Sequence, residues 1–390
     1  MPLVHMGDML AHAYRHRYAV GAFDLVGLAF LEAILEAAES RRAPVILSVA
    51  ESHFELFDVE LALAACVCAA RRARVPVAIH LDHGHSLESA RRAIAMGCNG
   101  VMVDASHLPF EDNVARTRAV VALAQRCGVP VEGELGYVPG VEGVDAAKHP
   151  EPLRYTAPEE AERYVAATGV DFLAVSIGTV HGRLRGEPRI DFARLEAIDR
   201  RLARPLVIHG GTGLPAEQYR ALTRHGVAKI NYFTALADAA AARLAENVAG
   251  QARPSWIEAT AGVREAIRRE VERAIDLFGS AGRADSVLAE CRPWREVEHV
   301  IEFNTDLPEE EALALMREGR QVLARVAGVR RVFVGRRVEG ADRYRYCWLI
   351  RFAGAGVIAS YREDPDHKRF ADERFRPAAA DRITIDFEEI

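Results

Sequence analysis

Short apolar runs recur along the first two thirds of the chain, each followed by a stretch whose apolar residues fall at helical spacing. The runs are Tyr18 to Asp24, Pro44 to Ala50, Pro76 to Asp82, Gly100 to Asp104, Val129 to Leu135, Asp171 to Ile177, Pro205 to His209 and Val227 to Asn231. Several, such as VPVAIHLD and RPLVIHGG, are continuous rather than alternating, as strands buried on both faces of a parallel sheet are. Between them Leu28 to Ser40, Leu87 to Met96, Glu111 to Cys127 and Pro158 to Thr168 read as amphipathic helices, with Thr156 placed to cap the turn entered through Pro158. Such an alternation fits a closed (β/α)8 TIM barrel. An open doubly wound sheet would alternate in the same way, but its first strand should lead into a glycine-rich phosphate loop, and GAFDLVG is no G-x-G-x-x-G.

Trp256 to Phe278 carries helical spacing throughout and predicts one long helix, and GSAGRADS, Gly279 to Ser286, reads as a small-residue linker. The expected organisation is a barrel over residues 1–280, a linker over 281–295 and a smaller domain over 296–390. That last segment reads strand, helix, strand, strand, helix, strand: EHVIEFN, Glu309 to Ala327, RRVFVGR, YCWLIRFA, Asp364 to Phe375 and ITIDFEE. The pattern is that of a ferredoxin-like α+β fold.

Half of the 390 residues are apolar, enough for two cores. A net charge of −6 with dispersed Lys and Arg offers no basic patch for nucleic acid or anionic lipid, so a small molecule is the expected partner. The first residues hold His5, Asp8, His12 and Arg15 rather than an apolar leader, and no run approaches a membrane span, which makes the cytoplasm the expected location. The six cysteines show neither C-x-x-C nor zinc-ribbon spacing and read as reduced, mostly buried small hydrophobes.

In such a barrel the catalytic groups gather where the strands end. The polar residues there are Asp24, Asp82, His83, Asp104, Glu134, His181, His209 and Asn231. Any one of the chain's 14 histidines could simply satisfy a local hydrogen bond. Three at three strand ends, His83, His181 and His209, instead describe a catalytic zinc site with an open fourth position. Asp82 precedes one of them and suits proton transfer, or else caps the helix that follows. Glu134, in VEGEL, could bind the metal in an alternative position, orient a histidine, or pair with a buried cation. HGGTGL, His209 to Leu214, lets backbone N–H groups approach an anion, and with Asn231 to Thr234 after the next strand it outlines a phosphate site.

The motifs AFD, HLDHG, GVMVDASHLPFEDN, VEGELG, IGTVHG, PLVIHGGTGL and AKINYFT, in this order and spacing, resemble the class II fructose-bisphosphate and tagatose-bisphosphate aldolase family over about residues 1 to 280. The resemblance implies a metal-dependent aldolase in which His83, His181 and His209 bind zinc or another divalent ion, with room for a monovalent cation. It makes Asp82 the proton donor and acceptor, and it places Gly182, Gly210, Gly211, Thr212, Asn231 and Thr234 around dihydroxyacetone phosphate, whose enediolate the metal stabilises. The glycine- and proline-rich loop Tyr137 to Pro152 carries Glu142, which the resemblance makes the base that removes the carbon-bound proton; as a plain residue it would be a solvated loop carboxylate. Asp24 stands where the family has Asn, Ala50 and Glu51 replace a serine-bearing segment, and Phe233 and Ala235 stand where an acidic residue is common. HGRLRG lacks the family's lysine, for which Arg183 or Arg185 can serve, and Arg253 lies one position from the arginine expected for a second phosphate.

Residues 296–390 resemble the stress-responsive dimeric α/β-barrel family, through His299 in EHVIEF and Tyr361 and His367 in YREDPDHKRF. Two such domains usually pair their sheets, which implies a homodimer or larger homo-oligomer. In some members that cyclise polyketides the matching residues act as acid and base. The expectations are thus an aldolase acting on a sugar phosphate, a bifunctional enzyme with a second lyase or cyclase activity, or a non-catalytic metabolite-binding regulator.

Overall fold

All eight apolar runs fold as strands in the computed structural model, which describes residues 2–140, 153–183, 189–340, 343–379 and 381–389. They are β1 (Val20–Asp24), β2 (Val45–Ala50), β3 (Val77–Gly84), β4 (Gly100–Val103), β5 (Val131–Leu135), β6 (Phe172–Val175), β7 (Leu206–Ile208) and β8 (Val227–Asn231). Each pairs in parallel with the next, and β8 returns to β1 through Val20–Lys229 and Ala22–Asn231, which closes the barrel. Nearly every strand residue is buried, the reason these runs carry no alternation in sequence.

The helices are α1 (Met6–Arg15), α2 (Leu28–Arg41), α3 (Val59–Arg72), α4 (Leu87–Met96), α5 (Phe110–Gln125), α6 (Pro158–Thr168), α7 (Phe192–Leu202), α8 (Ala216–Arg224) and α9 (Thr234–Val248), followed by α10 (Trp256–Thr260), α11 (Val263–Phe278) and α12 (Ala284–Glu290). Alpha-helix α1 precedes the first strand and plugs the N-terminal end of the barrel. Its Met6, Met9, Leu10 and Ala13 pack on Val20, Phe172 and the small Ala22, Ala78, Ala174 and Ala228, together with Val287 and Cys291.

Three sequence expectations are corrected. Thr156 does not cap α6, whose N-cap is Ala157; its hydroxyl is bonded to the Leu135 carbonyl and accepts the Ser176 N–H, tying β5 to the end of β6. The expected helix from Trp256 to Phe278 is broken at Ala261 and Gly262, because Gly262 takes the left-handed φ of 72° that ends one helix and starts the next. The small-residue stretch after Phe278 includes the start of α12, whose Val287 belongs to the barrel core.

The chain divides into two compact units, the first built mostly from residues up to Pro293 and the second mostly from Trp294 onward. The second unit contains β9 (Val297–Phe303), α13 (Glu309–Leu323), β10 (Val329–Arg336), β11 (Tyr346–Phe352), α14 (Val357–Glu363), α15 (Pro365–Phe370) and β12 (Arg382–Glu388). Its antiparallel sheet has the order β10-β11-β9-β12, the ferredoxin-like arrangement. The expected helix from Asp364 to Phe375 starts one residue later and ends in a π-helical turn, Ala371–Phe375. On β9 and β11 alternate residues are buried, so the sheet has one packed face and one open face. Across the open face Phe333, Leu349, Val300 and Ile385 are direct neighbours on the four strands, with Phe333 and Ile385 each 41% exposed.

Candidate metal centre and active site

Three imidazoles converge at the C-terminal end of the barrel. Asp82 faces inward from β3 by alternation with His80. His83 would then point outward, but its left-handed φ of 44° turns it toward the same space, so consecutive side chains share one pocket. His181 lies in the loop after β6, and its backbone N–H donates to the Pro139 carbonyl at 2.9 Å. His209 directly follows β7, wholly buried.

The outer nitrogen of each ring faces an acceptor oxygen. His83 Nδ1 lies 2.9 Å from Asp104 Oδ2, His181 Nδ1 lies 3.1 Å from the Val138 carbonyl, and His209 Nε2 lies 2.9 Å from Glu132 Oε1. These oxygens hold the proton on the outer nitrogen, so the inner nitrogens present lone pairs. His209 Nδ1 is 2.9 Å from His83 Nε2 and 3.5 Å from His181 Nε2. Two nitrogens bound tetrahedrally to one zinc at ~2.0–2.1 Å stand roughly 3.3 Å apart, so this spacing suits such an ion. Burial, and then the charges His83 and His209 can carry, push the His181 imidazole down to about 3, which keeps it in the neutral form that binds metal.

Beneath this cluster lies a fully buried charge network. Glu132 accepts from His209 and pairs with Lys229 Nζ at 2.9 Å. Lys229 Nζ also donates to Asn231 Oδ1 at 2.7 Å, and the Asn231 amide donates to both oxygens of Asp82 at 2.9 Å. Burial pushes the Asp82 carboxyl up, but His83 and the Lys229 ammonium outweigh it and hold it well below the usual carboxylate range. Burial likewise opposes ionisation of Glu132, and Lys229 and His209 still bring it down to about 2.

Glu134 lies apart from this ring. Its carboxyl is buried with one oxygen lacking a hydrogen-bond partner, and it shares a cluster with His83 and Asp104 whose donor atoms lie within 4.8 Å of one another. Burial first, and the Asp104 charge second, raise it well above its ordinary value. The histidine-orienting oxygens are therefore those of Asp104, Glu132 and Val138.

The loops expected around a phosphate are tightly built. Gly210 has φ 65°, and a Cβ there would stand 2.1 Å from the Val180 carbonyl oxygen, next to His181. Gly211 lies against Ile230, and its carbonyl accepts from Tyr219 at 2.5 Å. Gly182 has φ 82°, Thr212 follows in the same loop as Gly210, and Thr234 opens α9 after β8. Arg183 is held by Asp238 of α9 at 2.9 Å. Asp24 is buried at the end of β1. Glu142 and Arg185 lie outside the described residues.

Gly210→Ala is expected to push the 180–182 segment aside, lowering zinc affinity and costing stability on the order of 1–3 kcal/mol. Zinc titration and thermal unfolding check this, and a variant matching the parent in both would contradict the steric argument.

In the second unit, His299 faces the packed side of β9, with Nδ1 2.6 Å from Asp386 Oδ1 on β12. Tyr361 lies between His299 and His367, at ring-centroid distances of 5.8 and 4.1 Å. His367 Nδ1 is buried without a hydrogen-bond partner, and burial lowers its imidazole below the ordinary value. The three residues singled out in the sequence are thus brought together, with Asp386 added.

Sequence reasoning missed Glu132, Lys229 and His80, although the signal was present. Glu132 and Glu134, Lys229 and Asn231, and His80 and Asp82 are i, i+2 pairs on strands, so each pair points into the barrel at successive depths.

Residues 4–283 match the family model for class-II fructose-bisphosphate aldolase, and residues 297–389 match that for the stress responsive A/B barrel domain. A probable fructose-bisphosphate aldolase of Bacillus subtilis is 42% identical over 290 residues, 73% of this chain and all of that one. A fructose-bisphosphate aldolase of Staphylococcus aureus is 40% identical over 289 residues, again 73% of this chain and all of that one. Among solved structures, the YdjI aldolase of Escherichia coli K12 is similar with a TM-score of 0.65 and 33% identity, covering 72% of this chain and 99% of that one. No helix among the described residues is long and apolar enough to cross a membrane.

Proposed function

This chain belongs to the class II fructose-bisphosphate aldolase family through residues 4–283 and is an aldolase, and from that premise we propose that it cleaves and rebuilds a ketose phosphate, with dihydroxyacetone phosphate and an aldehyde as the two halves. The observation that carries this reading is the set of three inward imidazole nitrogens, each ring fixed by an acceptor behind it. Lone pairs facing one another at this distance repel unless a cation lies between them. The Asn231 amide, 3.5 Å from His209 Nδ1, already gives its hydrogens to Asp82.

His83, His181 and His209 would hold zinc, with Glu134 beside His83 as an alternative ligand. When bound, the ion would polarise the ketone of the triose and stabilise the charge that develops as a carbon-bound proton leaves. Asp82, held ionised, accepts the hydroxyl proton of the aldehyde half as the bond breaks and returns it on condensation. Asn231 fixes the Asp82 carboxylate beside the triose. Glu142 removes the carbon-bound proton. Backbone N–H groups around Gly182, Gly210, Gly211 and Thr212, with the N-terminus of α9 at Thr234, receive the triose phosphate. Arg183 is committed to Asp238, which favours an aldehyde without a second phosphate.

Chelation of the purified chain is expected to abolish retro-aldol cleavage of ketose phosphates, and zinc is expected to restore it. Cleavage that persists at full rate without metal would reject the reading. The open sheet face of the second unit favours a second copy of this chain as its partner, because one apolar rung crosses all four strands. Sedimentation equilibrium that gives only the mass of a single chain would contradict this.

A further inference from the structure

At the opposite end of the barrel from the catalytic pocket, α1 carries His12, and its C-cap is His16, four residues on, their ring centroids separated by 4.3 Å. Residues at i and i+4 share a helix face, the spacing by which helical histidine pairs hold zinc. Glu290, the last residue of α12, faces both rings. Its Oε1 is 3.7 Å from His12 Nε2, and its Oε2 is 4.0 Å from His16 Nε2. The three donor atoms all lie within 4.8 Å of one another.

His12 shows that the cluster is more than a surface ion pair. The residue is wholly buried, and its Nε2 has no hydrogen-bond partner. Its Nδ1 is 2.9 Å from the Tyr18 hydroxyl. A ligating imidazole characteristically donates its other N–H to an oxygen, which fixes the tautomer and aims the free lone pair at the metal. Arg15 donates to Oε2 of Glu290 at 3.2 Å, and Oε1 faces His12.

We propose that His12, His16 and Glu290 form a second metal site, for a divalent ion that accepts nitrogen ligands such as zinc, distinct from the catalytic centre. Two imidazoles and a carboxylate suit zinc, nickel or copper rather than magnesium or calcium. The ion would join α1 to α12, the two helices that contribute Met9, Leu10 and Val287 to the closed end of the barrel, and its role there is structural. His16 and Glu290 are exposed, so small side-chain rotations bring their donor atoms to bonding distance.

The test is zinc titration of the chelated full chain, read by calorimetry and metal analysis, with thermal unfolding alongside. Wild type should take up one more equivalent of zinc than either His16→Ala or Glu290→Gln, and both variants should keep aldolase activity. Tyr18→Phe should weaken the extra site by about 10- to 100-fold. In His209→Ala, zinc should still raise the melting temperature, and His16→Ala added to that variant should remove the effect. Equal zinc uptake by wild type, His16→Ala and Glu290→Gln would overturn the proposal.

Discussion

Asp82→Asn is expected to lower kcat for retro-aldol cleavage by about 10²- to 10⁴-fold while metal content stays at the wild-type level. Asparagine keeps the shape of the side chain and can still accept one bond from Asn231, but it cannot take up a proton. In the native chain burial opposes the charge on Asp82, and His83 and Lys229 overcome it. The carboxylate is therefore ionised and positioned before substrate arrives, with both oxygens on the Asn231 amide. Because the carbon-bound proton is assigned to Glu142, the same variant should retain hydrogen exchange at the triose carbon. If cleavage falls by less than roughly tenfold, Asp82 is not the group that moves the hydroxyl proton.

His209→Ala should cost more. It removes one of the three inner nitrogens and also strips a hydrogen bond from Glu132, which then has Lys229 as its close partner. The expected result is one equivalent of zinc fewer than wild type and a loss of cleavage exceeding about 10³-fold, since a Lewis acid at a developing charge contributes several kcal/mol. A melting temperature below wild type should accompany it, because a buried carboxylate with fewer partners is costly. Wild-type zinc content in this variant would place the metal elsewhere.

Most of the barrel could be read from the chain because strands buried on both faces appear as continuous apolar runs, and each run was followed by a helical stretch. The three histidines and Asp82 were legible because they lie in the last residues of a strand or in the loop that follows one. What escaped were features set by geometry rather than by position. The inward turn of His83 depends on a left-handed φ that no residue type announces. Glu132 was hidden because only the strand-end carboxylate of VEGEL drew notice, while period-two alternation places both inside. The break at Gly262 was lost in helical spacing that continues across it. Thr156 looked like a cap by its place before Pro158, yet the hydroxyl found better partners in Leu135 and Ser176. The His12, His16 and Glu290 cluster joins residues far apart in sequence and needed the packing of α12 on α1 to appear.

This pocket is proposed to remove a proton from the triose half with the help of a metal held by His83, His181 and His209. Solvent deuterium exchange at the reactive carbon of dihydroxyacetone phosphate, followed by NMR, tests it without knowledge of the aldehyde. Exchange is expected with the zinc-loaded wild-type chain and none with either the chelated chain or His209→Ala. No exchange from zinc-loaded wild type, or undiminished exchange in both controls, would contradict it.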